Sequence, residues 1–155
     1  EMCIRDRVSV LELAQEAARS LTAQAAAQAV HISVTGTAGT VFGVRRLLYE
    51  IARNLCENAV KYNVPGGSVT VEVAETDRDV TLLVRDTGIG IPEGDQSRVF
   101  ERFYRVDKSR SKSTGGTGLG LAIVKHIIQQ HGAHMELTSE KGKGTKIEIE
   151  FSKSR

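Results

Sequence analysis

The chain has 155 residues, 40% hydrophobic and 26% charged, the size and balance of one globular domain with a single core, which leaves little room for two. Its net charge of +2 excludes a bulk polyanion partner, so any functional charge has to be local. No run reaches the roughly 18 to 20 apolar residues of a membrane span and no secretory pattern opens the chain, so these residues read as soluble and cytosolic.

In chain order, Glu1 to Arg7 show no periodicity that fits the rest of the chain, and the stretch Met2 to Asp6 resembles translated sequencing-adapter sequence. Residues 1–7 are therefore set aside as a non-native scar, with the gene continuing upstream of Val8. From Val10 to Val30 the apolar residues Leu13, Ala17, Leu21, Ala25 and Ala29 recur every four positions, which predicts one helix. His31 to Thr35 alternates as a strand does and ends at the Gly36 to Gly39 turn region. A second helix is predicted from about Val44 to Tyr62, with Leu48, Ile51, Leu55 and Ala59 on its apolar face. Cys3 and Cys56 form neither a disulfide framework nor a close-spaced metal set, and Cys56 reads as a packing residue in this helix.

After Pro65-Gly66-Gly67, Val69, Val71 and Val73 alternate with polar residues, and Val80, Leu82 and Val84 repeat the pattern, predicting a hairpin that ends at Asp86. Residues 87–117 are too long for a plain connector and read as a functional loop. A helix is predicted from about Gly118 to His131. A last strand pair is predicted at His134 to Ser139 and Lys146 to Phe151, with Ile147, Ile149 and Phe151 inward. Helices interspersed with hairpins imply an α+β two-layer sandwich whose sheet is mostly antiparallel.

Three clusters carry candidate chemistry. In Asn54-Leu-Cys-Glu-Asn58-Ala-Val-Lys61-Tyr62, two carboxamides one helical turn apart and a lysine one turn further on offer oxygen to a hard cation and positive charge to phosphate. Taken alone, the segment reads equally well as a solvated polar face. In Asp86-Thr-Gly88-Ile-Gly90-Ile91-Pro92, an acid at a strand end can accept a hydrogen bond from an exocyclic amine, and the glycines let backbone approach a planar ring. A simple tight turn is the alternative. In Gly115-Gly116-Thr117-Gly118-Leu119-Gly120-Leu121, free N–H groups at a helix start can bind phosphate oxygens. This is not a Walker loop, because no Lys-Ser or Lys-Thr comes after the glycines, and it lacks dinucleotide spacing. Between the second and third clusters, Arg98 to Lys112 carries a net +4 interleaved with Phe100, Phe103 and Tyr104, which also fits a single-strand nucleic-acid footprint.

In this order the clusters resemble the N, G1, F and G2 boxes of histidine kinases, within the wider family that holds gyrase-type, heat-shock and mismatch-repair ATPases. The resemblance runs from about Val8 to Phe151. Arg102 to Arg110 further resembles membrane-bound sensors of the phosphate-regulon type. It implies the Bergerat ATP-binding fold, a mixed, mostly antiparallel sheet covered by helices on one face, over residues 8–152, with a lid at about 93–115 and a tail at 153–155.

By resemblance, Asp86 contacts the adenine amine, with Gly88, Gly90, Ile91 and Tyr62 near the base and Thr145 a further pocket residue. Asn58 is the implied Mg²⁺ ligand, Asn54 its neighbour at the phosphates, and Lys61 a phosphate-neutralising cation. Gly116, Thr117, Gly118, Leu119, Gly120 and Leu121 would cradle the triphosphate of ATP, and Arg102 and Arg105 would reach the γ-phosphate or a partner domain. Asn63 departs from the family's usual Thr or Ser, with little consequence expected.

The implied activity is transfer of the γ-phosphate to a histidine on a separate helical dimerisation domain of a homodimer, then to an aspartate of a response regulator. None of His31, His126, His131 or His134 sits in the family's phosphoacceptor context, so they read as surface or helix-end histidines. No nucleic acid is expected as partner, and contact with the inner membrane only through upstream segments. Rival readings are a water-activating ATPase of the same fold, a serine kinase acting on anti-anti-sigma factors, and a nucleic-acid-binding module built on the basic lid. Against the first, the amide of Asn54 cannot act as a general base near neutral pH.

Overall fold

The structure is a computed structural model that describes residues 4–100 and 120–153. Its elements are β1 (Arg5–Ser9), α1 (Val10–Ser20), α2 (Thr22–Ala27), β2 (His31–Gly36), β3 (Thr40–Val44), α3 (Arg45–Lys61), β4 (Ser68–Glu75), β5 (Asp79–Asp86), a 3-10 turn at Glu93–Asp95, α4 (Gly120–Gln130), β6 (His134–Glu140) and β7 (Gly144–Ser152). Five strands form one sheet in the order β2-β4-β5-β7-β6. The β2–β4 pair is parallel and the other three pairs are antiparallel, so the expected α+β two-layer sandwich is the fold found.

Strand period explains the layering. Val69, Val71 and Val73 of β4, Val80, Leu82 and Val84 of β5, and Ile147, Ile149 and Phe151 of β7 are all buried. They pack with Leu13 of α1, Ile51 and Leu55 of α3, and Val124, Ile127 and Ile128 of α4 in one core. Each large side chain removed from water there contributes about 1.5–3 kcal/mol. The alternate positions, Glu72, Arg85 and Glu150 among them, face away from the helices, and Arg85 meets Glu72 across that outer face at 3.3 Å. Cys56 is buried within the core, which pushes its thiol up to about 12, in keeping with a packing role.

Two elements differ from the sequence expectation. The helix predicted over Val10 to Val30 is broken at Leu21, whose φ of −106° and ψ of 6° leave the helical region. The flanking hydroxyls turn back on the chain, Ser20 Oγ donating to Ala17 O at 2.7 Å and Thr22 Oγ1 to Arg19 O at 2.9 Å. Such side-chain bonds compete with the helical ladder. The other is β3, which the sequence leaves unassigned. It pairs antiparallel with β1 in a separate two-stranded sheet, with Arg5 opposite Val44 and Ser9 opposite Thr40. Arg5, Asp6 and Arg7, set aside as a scar, are thus strand residues. Ser9 ends the strand and caps α1, its hydroxyl accepting from Glu12 N–H at 3.3 Å.

His131 ties the end of α4 to the start of α3. Its Nε2 accepts the Val44 N–H at 3.1 Å and its Nδ1 faces Ile127 O at 2.9 Å, which fixes the neutral tautomer with the proton on Nδ1. Burial, and to a lesser extent the Arg5 guanidinium, hold its pKa below the ordinary 6.5, against the bond to Ile127 O. The folded chain therefore takes up this proton less readily than the unfolded chain, and the imidazole's contribution to stability is lost as pH falls through 6.5 and below. His131→Gln is expected to flatten the fall in thermal midpoint between about pH 7.5 and 5.5. Parallel unfolding scans check this, and equal slopes for the two proteins would remove the imidazole from the pH response.

Candidate functional site

The inward rows that build the core end in polar side chains at one edge. On β5 the row Val80, Leu82, Val84 continues to Asp86. On β7 the row Phe151, Ile149, Ile147 runs to Thr145, and on β6 the row Met135, Leu137 runs to Ser139. The register pairs Asp86 with Thr145 and Thr145 with Ser139, so the three stand side by side across three strands. Asp86 Oδ1 accepts from Gly88 N–H at 2.9 Å and from Thr145 N–H at 3.2 Å. Burial nevertheless dominates and pushes the Asp86 carboxyl up from 3.8 to about 6, while the two amide donors pull it down. A half-buried carboxylate held by its backbone on one oxygen is poised to accept from a ligand's N–H on the other.

The loop after Asp86 is pinned against the end of α3. Ile89 N–H donates to Tyr62 O at 3.1 Å, and a Cβ on Gly88 would run into that same carbonyl oxygen and the Asn63 backbone. Gly90, at φ +72°, packs on the backbone of Glu140, and Ile91 N–H donates to Ser139 Oγ at 2.8 Å. At the middle of α3, Asn54 donates through Nδ2 to Glu50 O at 2.7 Å, a bond that fixes its carboxamide. Gly120, the first residue of α4, lies against that amide: a Cβ there would be 3.0 Å from Asn54 Oδ1 and 3.8 Å from Asn58 Nδ2. Leu121 is partly buried against the core.

The structure thus brings Asn54 and Asn58 together with Gly120, and Asp86 together with Gly88 and Thr145. Lys61 shares their helix but is 8% exposed, with its ammonium 5.9 Å from the centroid of the Tyr62 ring, rather than standing on an open polar face. Arg102, Arg105, Gly116, Thr117, Gly118 and Leu119 lie outside the described residues, as does most of the basic stretch.

Three residues to which the sequence reading gives no role hold this arrangement. Asn63, read as a substitution of little consequence, is 2% exposed. Its Nδ2 donates to Ser68 O at 3.0 Å and its Oδ1 accepts from Val64 N–H at 2.8 Å and Thr87 Oγ1 at 3.4 Å, joining the end of α3 to β4 and to the Asp86 loop. Ser139 contacts Ile91, Gly144 and Thr145. Gln96 donates through Nε2 to both Ile91 O and Ser139 O at 2.9 Å. Each has at least one partner far along the chain, Thr87 for Asn63, Ile91 for Ser139 and Ser139 for Gln96, and no local spacing announces those contacts.

A polar edge between the sheet and the helices of a two-layer sandwich marks a particular class of protein. Residues 43–155 match the family described as histidine kinase-, DNA gyrase B-, and HSP90-like ATPase, and the chain belongs to that family, whose domains bind ATP. The chain is 46% identical over 123 residues to the sensor-like histidine kinase SenX3 of Mycolicibacterium smegmatis, covering 77% of this chain and 32% of SenX3. It is 48% identical over 100 residues to the sensor histidine kinase WalK of Bacillus subtilis, covering 63% of this chain and 16% of WalK. The chain therefore spans a third or less of these relatives' length. Among solved structures, the mycobacterial sensor histidine kinase MprB superposes with a TM-score of 0.83 at 29% identity over 96% of this chain and 97% of that one. Full-length ShkA in complex with AMPPNP gives 0.82 at 26% identity, over 99% of this chain and 32% of ShkA.

Proposed function

We propose that this chain is the ATP-binding catalytic domain, residues 8–152, of a sensor histidine kinase. It binds Mg-ATP and donates the γ-phosphoryl group to a histidine on a helical dimerisation domain, for relay to a response-regulator aspartate. The observation that carries the reading is the seating of the α4 start against Asn54 and Asn58, on the same helix whose far end closes over the Asp86 loop. A phosphate site and a base site are thereby set at two points along one rigid element.

Asp86 accepts the amine of the base, Thr145, Tyr62, Ile91 and the Gly88–Gly90 backbone enclose it, and N–H groups at the head of α4 meet the phosphates. Among the described residues no cluster of three or more His, Cys, Asp or Glu is placed to hold a metal ion. The donor set instead fits a hard ion carried mainly by phosphate and water, with the Asn58 amide oxygen as the protein ligand. Mg²⁺ bound there would supply neutralisation of phosphate charge. Phosphoryl transfer asks the protein for positioning and charge stabilisation, which these groups offer. The acceptor histidine is supplied by the helical dimerisation domain of the full-length sensor, and the whole works on the cytoplasmic side of a membrane.

A hydrolytic ATPase of the same family is disfavoured because Asn54 is an amide already committed to Glu50 O. The test mixes this chain, labelled ATP and a separately made phosphoacceptor domain. Acid-labile, base-stable phosphate should appear on histidine, and Asn58→Ala should reduce its rate by about 100-fold. Rapid ATP hydrolysis by the chain alone, with no phosphohistidine formed, would falsify the assignment.

A further inference from the structure

The hydroxyl of Ser139 has one hydrogen to give, and its neighbours decide where it goes. Ser139 Oγ accepts the Ile91 N–H at 2.8 Å, donates to Gly144 O at 3.0 Å, and lies 2.8 Å from Thr145 Oγ1. When that proton goes to the Gly144 carbonyl, which can only accept, Ser139 meets Thr145 as an acceptor and the Thr145 hydrogen points toward Ser139. The lone pairs of Thr145 Oγ1 are then what it presents beside Asp86, itself acceptor-only when ionised. Gln96, bridging Ile91 O and Ser139 O, holds the three segments in this relation.

We propose that Ser139 is a positioning and specificity-determining residue for the nucleotide base: it fixes Thr145 as a second acceptor next to Asp86, so that the site selects a base carrying an amino group over one carrying a carbonyl at the same position. This rests on the nucleotide-binding reading above. Fixed polarity is what separates the two bases, because a carbonyl brought against two acceptors finds no donor and leaves buried polar groups unpaired. Without the Ser139 hydroxyl, Thr145 regains a free rotor and can donate to a carbonyl, and the Ile91 N–H loses its partner.

The test measures ADP and IDP binding by calorimetry, since hypoxanthine carries a carbonyl in place of adenine's amine, together with a hydrogen on the adjacent ring nitrogen. The parent chain is expected to prefer ADP strongly. Ser139→Ala should weaken ADP binding by about 10-fold and shrink the IDP/ADP ratio of dissociation constants by about 10-fold. Ser139→Thr, which keeps the hydroxyl, should restore the ratio, a readout that a purely structural role would leave alone. If Ser139→Ala does not fold, Thr145→Val takes its place and should shrink the ratio in the same way. An unchanged ratio in the folded variant overturns the assignment. A parent chain that binds neither nucleotide overturns the nucleotide reading itself, and the inference with it.

Discussion

Asp86→Asn is expected to weaken ADP binding by about 10- to 100-fold while making the unliganded chain more stable above pH 6. The two effects have one cause. Burial raises the carboxyl to about 6, so the folded chain holds this proton more tightly than the unfolded one, whose Asp titrates near 3.8. The stability that the protonated carboxyl contributes is fully present below 3.8 and is lost as pH rises through about 6. At pH 8 the loss is at most about 3 kcal/mol. Asparagine is never charged, and its Oδ1 can still accept from the Gly88 and Thr145 amides. Its Nδ2 would then meet the ligand's amine donor to donor. Below pH 6 the parent chain should also lose ADP affinity as Asp86 protonates, whereas the variant's weak binding should stay flat. Calorimetry and thermal unfolding from pH 5 to 8 measure both, and a variant that binds ADP like its parent would sink the role given to Asp86. His131 pulls stability the opposite way in this window, so each titration is read against its own variant.

Gly144→Ala should destabilise the chain by about 3 kcal/mol or more and abolish nucleotide binding in whatever fraction still folds. Gly144 sits at φ +121°, a region L side chains rarely adopt, and a Cβ there would be driven into the Asp86 carbonyl oxygen. Relief requires β7 to move away from β5 at the very point where Thr145 N–H reaches the Asp86 carboxylate. Gly142, two residues earlier, is the control. It too has a positive φ, +85°, yet nothing lies within 4 Å of its Cβ position, so Gly142→Ala should cost only about 1–2 kcal/mol and leave binding intact. Chemical denaturation of both variants separates steric contact from backbone preference, and equal losses would mean that the Asp86 contact carries no weight.

The same two glycines show where legibility stops. Gly142-Lys-Gly144 announces a turn, and the alternation on either side of it announces two strands, because each rests on neighbours in sequence. That Gly144 touches Asp86 comes from register with a strand almost sixty residues earlier. The apolar face of α3, the inward rows of β4, β5 and β7, and the residue types at Asn54, Asn58 and Asp86 are readable for the same local reason. The break at Leu21 is not, because an Ala-rich run masks the competing hydroxyls of Ser20 and Thr22. Nor is β3, whose five residues include Gly43 and whose partner strand lies more than thirty residues away. Asn63 looks inconsequential and Ser139 goes unnoticed in the sequence because Thr87, Thr145 and Ile91 give them their meaning.

The polar row at the end of the sheet also bears on how the chain folds correctly. Sliding β7 by one residue against β5 would turn every inward side chain of β7 outward and set Gly144 or Lys146 opposite Asp86 in place of Thr145. A ligand that needs Asp86 beside Thr145 therefore binds only chains whose strands are in step, and draws the population toward them by mass action. Nucleotide in a refolding mixture would act as a proofreader of strand alignment.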